Sequence, residues 1–489
     1  MSLSRRVAGF TAAVGLALAG ACASAPPIDH ALAQTPPTPP RVTTPHGVLT
    51  HAESKRVLDA LRARSPQSTV LDRHLALEQT LAGTPLSAGN RATLLQNGAE
   101  TYPAELAAIR GAKHFIHLEM YIFEAGAAGR DFANALMERA RAGVEVRVLY
   151  DGVGSMDTPK EFFERMKQAG VKVLPFNPVS PERVVRKGVA LDHRDHRKLI
   201  VVDGRVAFVG GINISDVYGP LPRGPAGSTP SAGSSSGGSS ASGGKASGKD
   251  DGSKEAIEKR PWRDTQVRIE GPVVAQLERS FLGQWAKESK HPVEDDARYF
   301  PQVPAAGHEL VRAIAGTPDE GVDAAYVALV SAIENAESEV RIMNSYFVPA
   351  KDLREALEGA ARRGVKVELV MPSHLDTWVV LEAGRSFYTE LLEAGVRIYE
   401  REGRLLHSKV ATIDGVWSTV GSTNLDYRSL AHNDELNVVV LGPEFAGKMN
   451  QAFDDDIAHS RHITAQAWAK RPIASRLKEA AARIWAYLL

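Results

Sequence analysis

A chain that carries the same eighteen-residue pattern twice is expected to fold as two related units. From His196 it reads His-Arg-Lys-Leu-Ile-Val-Val-Asp-Gly-Arg-Val-Ala-Phe-Val-Gly-Gly-Ile-Asn, and from His407 it reads His-Ser-Lys-Val-Ala-Thr-Ile-Asp-Gly-Val-Trp-Ser-Thr-Val-Gly-Ser-Thr-Asn. In both copies Lys follows His by two positions, Asp by seven and Asn by seventeen (213 − 196 and 424 − 407).

In each copy an apolar, β-branched run flanks Asp-Gly, which marks a tight hairpin at Asp203-Gly204 and at Asp414-Gly415. Strand side chains alternate between faces, so His196 projects with Lys198 and His407 with Lys409. With Asp-Gly as a two-residue loop, facing residues sum to 407 in the first hairpin, which sets Gly211 opposite His196 and brings Asn213 beside the imidazole. The same count sets Ser422 opposite His407 and Asn424 alongside. Each hairpin is expected to present an imidazole, an ammonium and a carboxamide at one edge, a trio suited to a phosphodiester. Lys balances anionic oxygens, Asn donates hydrogen bonds, and His attacks or carries a proton. Asp203 and Asp414 have the other parity and fall at the turn, where bonds to backbone or to a basic neighbour are expected.

The duplicated pattern His-x-Lys-x4-Asp-x6-Gly-[Gly/Ser]-x-Asn resembles the phospholipase D superfamily. The stretches His193-Arg194-Asp195-His196-Arg197-Lys198, Gly210-Gly211-Ile212-Asn213-Ile214, Trp262-Arg263-Asp264-Thr265, Tyr346-Phe347-Val348-Pro349 and Asn424-Leu425-Asp426-Tyr427-Arg428-Ser429 resemble bacterial cardiolipin synthases more closely still. The likeness runs from about residue 90 to the C-terminus. It implies an α/β fold of two pseudo-twofold-related phospholipase D-like halves, each a mostly parallel or mixed sheet flanked by helices, with the active site at their interface. It also implies a catalytic set of His196, Lys198, Asp203, His407, Lys409 and Asp414, and counts both aspartates as essential.

Taken in order, residues 1–21 have a basic start (Arg5, Arg6), an apolar run from Val7 to Leu18 and small residues before Cys22, the features of a cleavable signal peptide. Cys22, the only cysteine, resembles the lipidated residue of a bacterial lipoprotein box and excludes an intramolecular disulfide. These features predict export to a bacterial cell envelope, as a membrane-attached lipoprotein facing the periplasm or otherwise as a periplasmic or secreted protein. Residues 22–50 read as a Pro-rich tether, and residues 51–90 as an N-terminal helical segment with a helix from His51 to about Arg64.

The first half is expected over 91–218 plus 259–300 and the second over 301–465, each in βαβ order. Arg363-Gly364-Val365 in the second answers Ala142-Gly143-Val144 in the first, and Ala394-Gly395-Val396 answers Ala169-Gly170-Val171. Between them 219–258, almost all Gly, Ser, Ala and Pro from Pro220 to Asp250, cannot bury apolar area and reads as a disordered insertion. Asp264 follows His196 by 68 residues and Glu435 follows His407 by 28, so removing about forty residues makes them counterparts. The family pairs each His with an acidic partner, which assigns that orienting role to Asp264 and Glu435. Residues 466–489 form an amphipathic helix with Leu477, Ala481, Ile484, Trp485 and Leu488 on one side, read first as core and second as a membrane anchor.

A formal net charge of zero gives no global field toward nucleic acid, so anion affinity must be local. Arg183, Arg186, Lys187, Arg194, Arg197 and Lys198 cluster at the first motif and could supply it. No His/Cys/Asp/Glu cluster has metal-ligand spacing, and neither metal nor other cofactor is expected. The resemblance implies a phosphatidyltransferase that converts phosphatidylglycerol to cardiolipin plus glycerol through a phosphohistidine, with His196 attacking and His407 moving the proton. Lys198, Lys409, Asn213 and Asn424 would hold the phosphate oxygens. The expected partner is phospholipid at a membrane surface. Two other readings stand beside it: a phospholipase D, phosphodiesterase or nuclease on the same fold, and a non-catalytic lipoprotein that binds anionic lipid.

Overall fold

The computed structural model describes residues 40–65, 68, 70–178, 192–219, 260–293, 296–318 and 323–485. The signal peptide, Cys22, most of the tether, residues 220–258 of the insertion, the basic residues 183–187 and Leu488 lie outside them.

Two helices come first, α1 (His51–Arg64) and α2 (Val70–Ala82). Thr50 and Glu53 close a reciprocal capping box that starts α1. The expected tether ends earlier than residue 50, because Val42–Thr44 and Gly47–Val48 pair as a small hairpin with Val42 fully buried. Its β-branched run Val42-Thr43-Thr44 carries a strand, which the surrounding prolines concealed.

The first half then runs β1 (Leu86–Gln96), α3 (Asn97–Gly111), β2 (Phe115–Met120), α4 (Ala127–Arg141), β3 (Glu145–Asp151), α5 (Lys160–Gln168), β4 (Lys172–Phe176), β5 (Lys198–Val202), β6 (Val206–Gly210), β7 (Thr265–Glu270) and α6 (Val274–Ser289). Strand β1 crosses the boundary expected at residue 91. The second half runs β8 (Glu309–Gly316), α7 (Ala324–Glu334), β9 (Glu339–Asn344), α8 (Lys351–Arg362), β10 (Lys366–Pro372), α9 (Trp378–Arg385), α10 (Tyr388–Glu393), β11 (Arg397–Arg401), β12 (Lys409–Ile413), β13 (Trp417–Gly421), β14 (Asn433–Leu441) and α11 (Pro443–Ala458). Helix α12 (Ile473–Ile484) closes the described chain.

Pairing makes the duplication explicit. The first sheet has the order β4-β3-β2-β5-β6-β7-β1, and the second β11-β10-β9-β12-β13-β14-β8. In each, three parallel strands come from βαβ crossovers and the rest are antiparallel, so the sheets are mixed. Gly143 and Gly364, with φ of 88° and 93°, turn the chain from helix to parallel strand at the same point of each half. β1 pairs with β8 and joins the two sheets.

Strand alternation distributes the core. Leu199, Val201, Ala207 and Val209 of the first half meet Val410, Val420, Val438 and Val440 of the second in one shared layer, which α6 and α11 enter through Phe281 and Phe453. Ile200, Val202 and Phe208 point the other way, into a layer with α3, α4 and α5. Helix α2 packs on the second half: Glu78 accepts from Arg312 at 2.8 Å and from the Trp417 indole at 3.0 Å.

The C-terminal stripe departs from its expected place in the core. Leu477, Ile484 and Trp485 are 67%, 68% and 56% exposed, whereas Glu479 and Ala482 turn inward. Arg471 holds the Glu479 carboxylate at 2.9 Å, and this ion pair rather than the apolar stripe fixes the buried side. No helix among the described residues is long and apolar enough to cross a membrane.

Candidate active site

The two motif hairpins differ from the expected register by one residue. Val202 faces Val206 and Ile413 faces Trp417, so each loop holds three residues rather than two. Asp203 and Asp414 adopt left-handed conformations, φ 53° and 51°, followed by Gly204 and Gly415, both at 62°. The turn carboxylates fix this shape. Asp203 accepts from the backbone N–H groups of Lys113, His114 and Phe115 at 2.7–2.9 Å. Asp414 accepts from Glu337, Ser338 and Glu339 in the same way, and from the Ser68 hydroxyl at 3.0 Å. Neither carboxylate bonds either motif histidine; both bind each hairpin to the strand that precedes it.

At the other end of the hairpins, backbone pairing crosses between the halves. Asn433 and Asp434, at the start of β14, align parallel with Arg194 and Asp195, which continues to Glu435 beside His196. Arg263 bridges Leu406 in parallel, which continues to Asp264 beside His407. The His196 N–H donates to Asp434 O at 2.9 Å, and the His407 N–H to Arg263 O at 2.7 Å.

This register sets the acid–imidazole pairs. His196 Nδ1 lies 3.0 and 3.1 Å from the Glu435 oxygens, and His407 Nδ1 lies 2.7 Å from Asp264 Oδ2. Each imidazole is therefore held by a carboxylate of the opposite half. A carboxylate only accepts, so Nδ1 carries the ring proton and Nε2 keeps its lone pair. Gly211 lies against Asp264 instead of opposite His196: a Cβ there would come 2.2 Å from Asp264 Oδ1. Ser422, its counterpart, uses its hydroxyl to donate to Glu435 at 2.5 Å.

Both lysines are buried. Lys198 donates to His196 O and lies 5.0 Å from the Tyr121 ring centroid. Lys409 donates to His407 O and to Ser345 Oγ at 2.8 Å, and Ser345 donates onward to Asn424 Oδ1 at 3.0 Å. Asn213 is not placed by its hydrogen bonds beside His196. Its oxygen accepts the Ile122 N–H at 3.1 Å, and its nitrogen donates to Tyr218 OH, which sits 3.2 Å from His407 Nδ1. The extra loop residue shifts the counted register of each hairpin by one position.

Burial dominates the electrostatics. It drives His196 well below the usual imidazole range, with Lys198, Lys409 and His407 adding to the effect, and it lowers His407 to about 4 despite the Asp264 carboxylate. Burial also lowers Lys198 to about 7 and Lys409 to about 8, and raises Glu435 to about 7. Sequence reasoning placed the lysines and carboxylates but gave no measure of this burial. It also gave no role to the aromatic wall: Tyr121 stands edge-on to His196 at 4.8 Å, and Trp262 and Tyr346 flank His407 at 5.3 and 6.4 Å. Tyr121 and Tyr346 each follow the first parallel strand of their half, and that shared position was the available signal. Among the described residues, no group of three or more His, Cys, Asp or Glu side chains could hold a metal ion.

A duplicated sheet whose halves trade carboxylates across paired imidazoles defines the phospholipase D-like class. The family description "Cardiolipin synthase, PLD-like domain" matches residues 106–217 and 329–457, one segment in each half. The chain is 33% identical over 402 residues to the Bacillus subtilis protein named "Probable cardiolipin synthase YwiE", covering 81% of this chain and 72% of that one. It is 34% identical over 416 residues to the cardiolipin synthase of Geobacillus kaustophilus, covering 85% and 76%. Among solved structures, phosphatidylserine synthase of Haemophilus influenzae shares the fold with a TM-score of 0.61 at 14% identity, covering 84% of this chain and 99% of that one. The chain belongs to the cardiolipin synthase family of phospholipase D-like enzymes.

Proposed function

We propose that this chain transfers a phosphatidyl group from one phosphatidylglycerol to another, giving cardiolipin and glycerol. The observation that carries the reading is the pair of Nδ1-anchored imidazoles, each with its Nε2 lone pair available and a buried lysine beside it, in a chain whose relatives are named cardiolipin synthases. In the first step His196 Nε2 attacks phosphorus, the N–P bond forms, and the P–O bond to glycerol breaks. His407, as imidazolium, gives its proton to the departing oxygen. The anionic phosphodiester entering between the rings raises the proton affinity that burial had depressed. In the second step neutral His407 takes the proton of the acceptor hydroxyl. That oxygen attacks phosphorus, the N–P bond breaks, and His196 is regenerated. Lys198 and Lys409 balance the oxyanion charge.

The same proposal takes residues 1–21 as a signal peptide and Cys22 as a lipidation site, with the enzyme in the cell envelope at a membrane surface. Support for this is the basic-apolar-small order of the N-terminal residues.

Incubating purified protein with labelled phosphatidylglycerol vesicles tests the activity. Cardiolipin and glycerol are expected, and His407→Ala should lower turnover about 10²- to 10⁴-fold. Phosphatidic acid as sole product would replace transfer with hydrolysis. An inert wild type, or full turnover by His407→Ala, would overturn the reading.

A further inference from the structure

Among the described residues, eight large apolar side chains are exposed, and all but Val48 lie on the segments that follow β3, β6 and β10 or at the C-terminal helix. Met156, 70% exposed, is on the loop after β3, where its neighbour Ser155 donates to Tyr121 O, and Tyr121 packs on His196. Trp378, 55% exposed, begins α9 after β10, at the corresponding place in the second half. Two residues earlier, Asp376 accepts from Tyr346 OH at 2.7 Å, and Tyr346 stands beside His407. Val217 adjoins Tyr218, whose hydroxyl reaches His407. The remaining four, Ile473, Leu477, Ile484 and Trp485, are on or just past α12. That helix packs against α9, with Lys478 Nζ 5.1 Å from the Trp378 ring centroid.

Scattered apolar side chains on a surface need no explanation. Here Met156 and Trp378 each lie one or two residues from a side chain that bonds the tyrosine beside a catalytic imidazole, Val217 adjoins Tyr218, and the helix carrying the stripe packs against Trp378. Charge agrees with the grouping. The exposed charged side chains of α12 are Arg476 and Lys478, whereas its one acid, Glu479, is buried against Arg471. An apolar stripe with cations at its margin is the form of a helix lying in the interface of an anionic bilayer.

We propose that α12, with Trp378 and Met156, docks the enzyme on an anionic lipid bilayer and holds the site mouth at the headgroups. The proposal rests on the phosphatidyl-transfer reading for its choice of partner, since a lipid substrate must be drawn from a bilayer into the site. Lipid contact at α12 is separate from any anchor at Cys22.

The test uses the full chain in a Cys22→Ser background, which removes any acyl anchor from the comparison. Phosphatidylglycerol is offered as vesicles and as a short-chain form below its critical micelle concentration. Leu477→Asp/Ile484→Asp is expected to weaken vesicle cosedimentation about tenfold or more, from the loss of two partly inserted side chains. Vesicle turnover should fall by a similar factor while turnover of the soluble form is unchanged. Vesicle binding and turnover equal to the parent would overturn the proposal. So would equal losses on both forms by the uncharged pair Leu477→Gln/Ile484→Gln, or a dimer in sedimentation that the same substitutions dissolve. A parent that binds vesicles through α12 but turns over neither form would remove the transferase reading and leave the docking surface standing.

Discussion

Replacing Glu435 with Gln separates two effects of one buried carboxyl group. The side chain is 1% exposed, and burial raises its pKa from 4.5 to about 7, against the opposing attraction of Lys198. An acid with a higher pKa in the folded state resists ionisation there. Its contribution to stability therefore falls as pH rises from about 4.5 through about 7. A rise from 4.5 to about 7 corresponds to roughly 3 kcal/mol lost above pH 7. Gln has the same shape and no charge, so Glu435→Gln should be the more stable protein at pH 8, by up to roughly 3 kcal/mol. Below about pH 4.5 the advantage should vanish, because the carboxyl group is then neutral in both states.

Activity should move the other way. A phosphorylated imidazole carries positive charge, which a carboxylate at 3.0 Å stabilises and an amide oxygen does not. Loss of an orienting acid of this kind lowers turnover about 10- to 100-fold. Urea titrations at pH 8 and pH 4.5, with single-turnover kinetics on the same samples, read both quantities. Lower stability than wild type at pH 8, or unchanged turnover, would refute the reasoning.

Asp414→Asn should do the reverse, because its carboxylate accepts three backbone N–H groups and lies at the outer turn. Loss of those charge-assisted bonds is expected to cost roughly 2–3 kcal/mol in a denaturant titration, with kcat of the folded protein within about twofold. A collapsed kcat at unchanged stability would place the group in the chemistry instead. The pH profile of kcat should be bell-shaped. Its acid limb lies well below the usual imidazole range, as His196 protonates and loses the lone pair that attacks, and its alkaline limb at about 7 to 8, as the buried ammonium groups lose charge. Lys198→Arg, which does not titrate in this range, should shift the alkaline limb upward, from about 7 toward the about 8 of Lys409, and an unmoved limb would refute the assignment.

The parts of this fold that local chemistry determines could be read in the sequence. Helix α1 starts and stops where periodicity puts it, and the Gly143 and Gly364 turns mark equivalent points of the two halves. The mixed sheet follows from βαβ units joined to hairpins. What failed was counting across a turn: Asp203 and Asp414 draw their loops toward the backbone before β2 and β9, which adds a residue and shifts the register by one. No spacing rule contains that attraction, because its donors lie 88 to 90 residues upstream in the first half. The exposed stripe of α12 failed for a related reason, since only the fold reveals that Arg471 holds Glu479 on the inner side.

Counting could make Asp264 and Glu435 equivalent but could not say which histidine each one meets. Sequence separation suggests the histidine of the same half, yet the partners are 143 and 239 residues apart in the opposite one. The reason is backbone register. A short parallel alignment joins Asp434 to Asp195, another joins Arg263 to Leu406, and each carries the next residue, an acid, against the next imidazole. The catalytic geometry thus depends on the interface between halves rather than on either half. A half folded alone would present an imidazole without the carboxylate that fixes its tautomer, beside a lysine without the burial that tunes its charge. Duplication supplied the two imidazoles, and the crossed strands make them a pair.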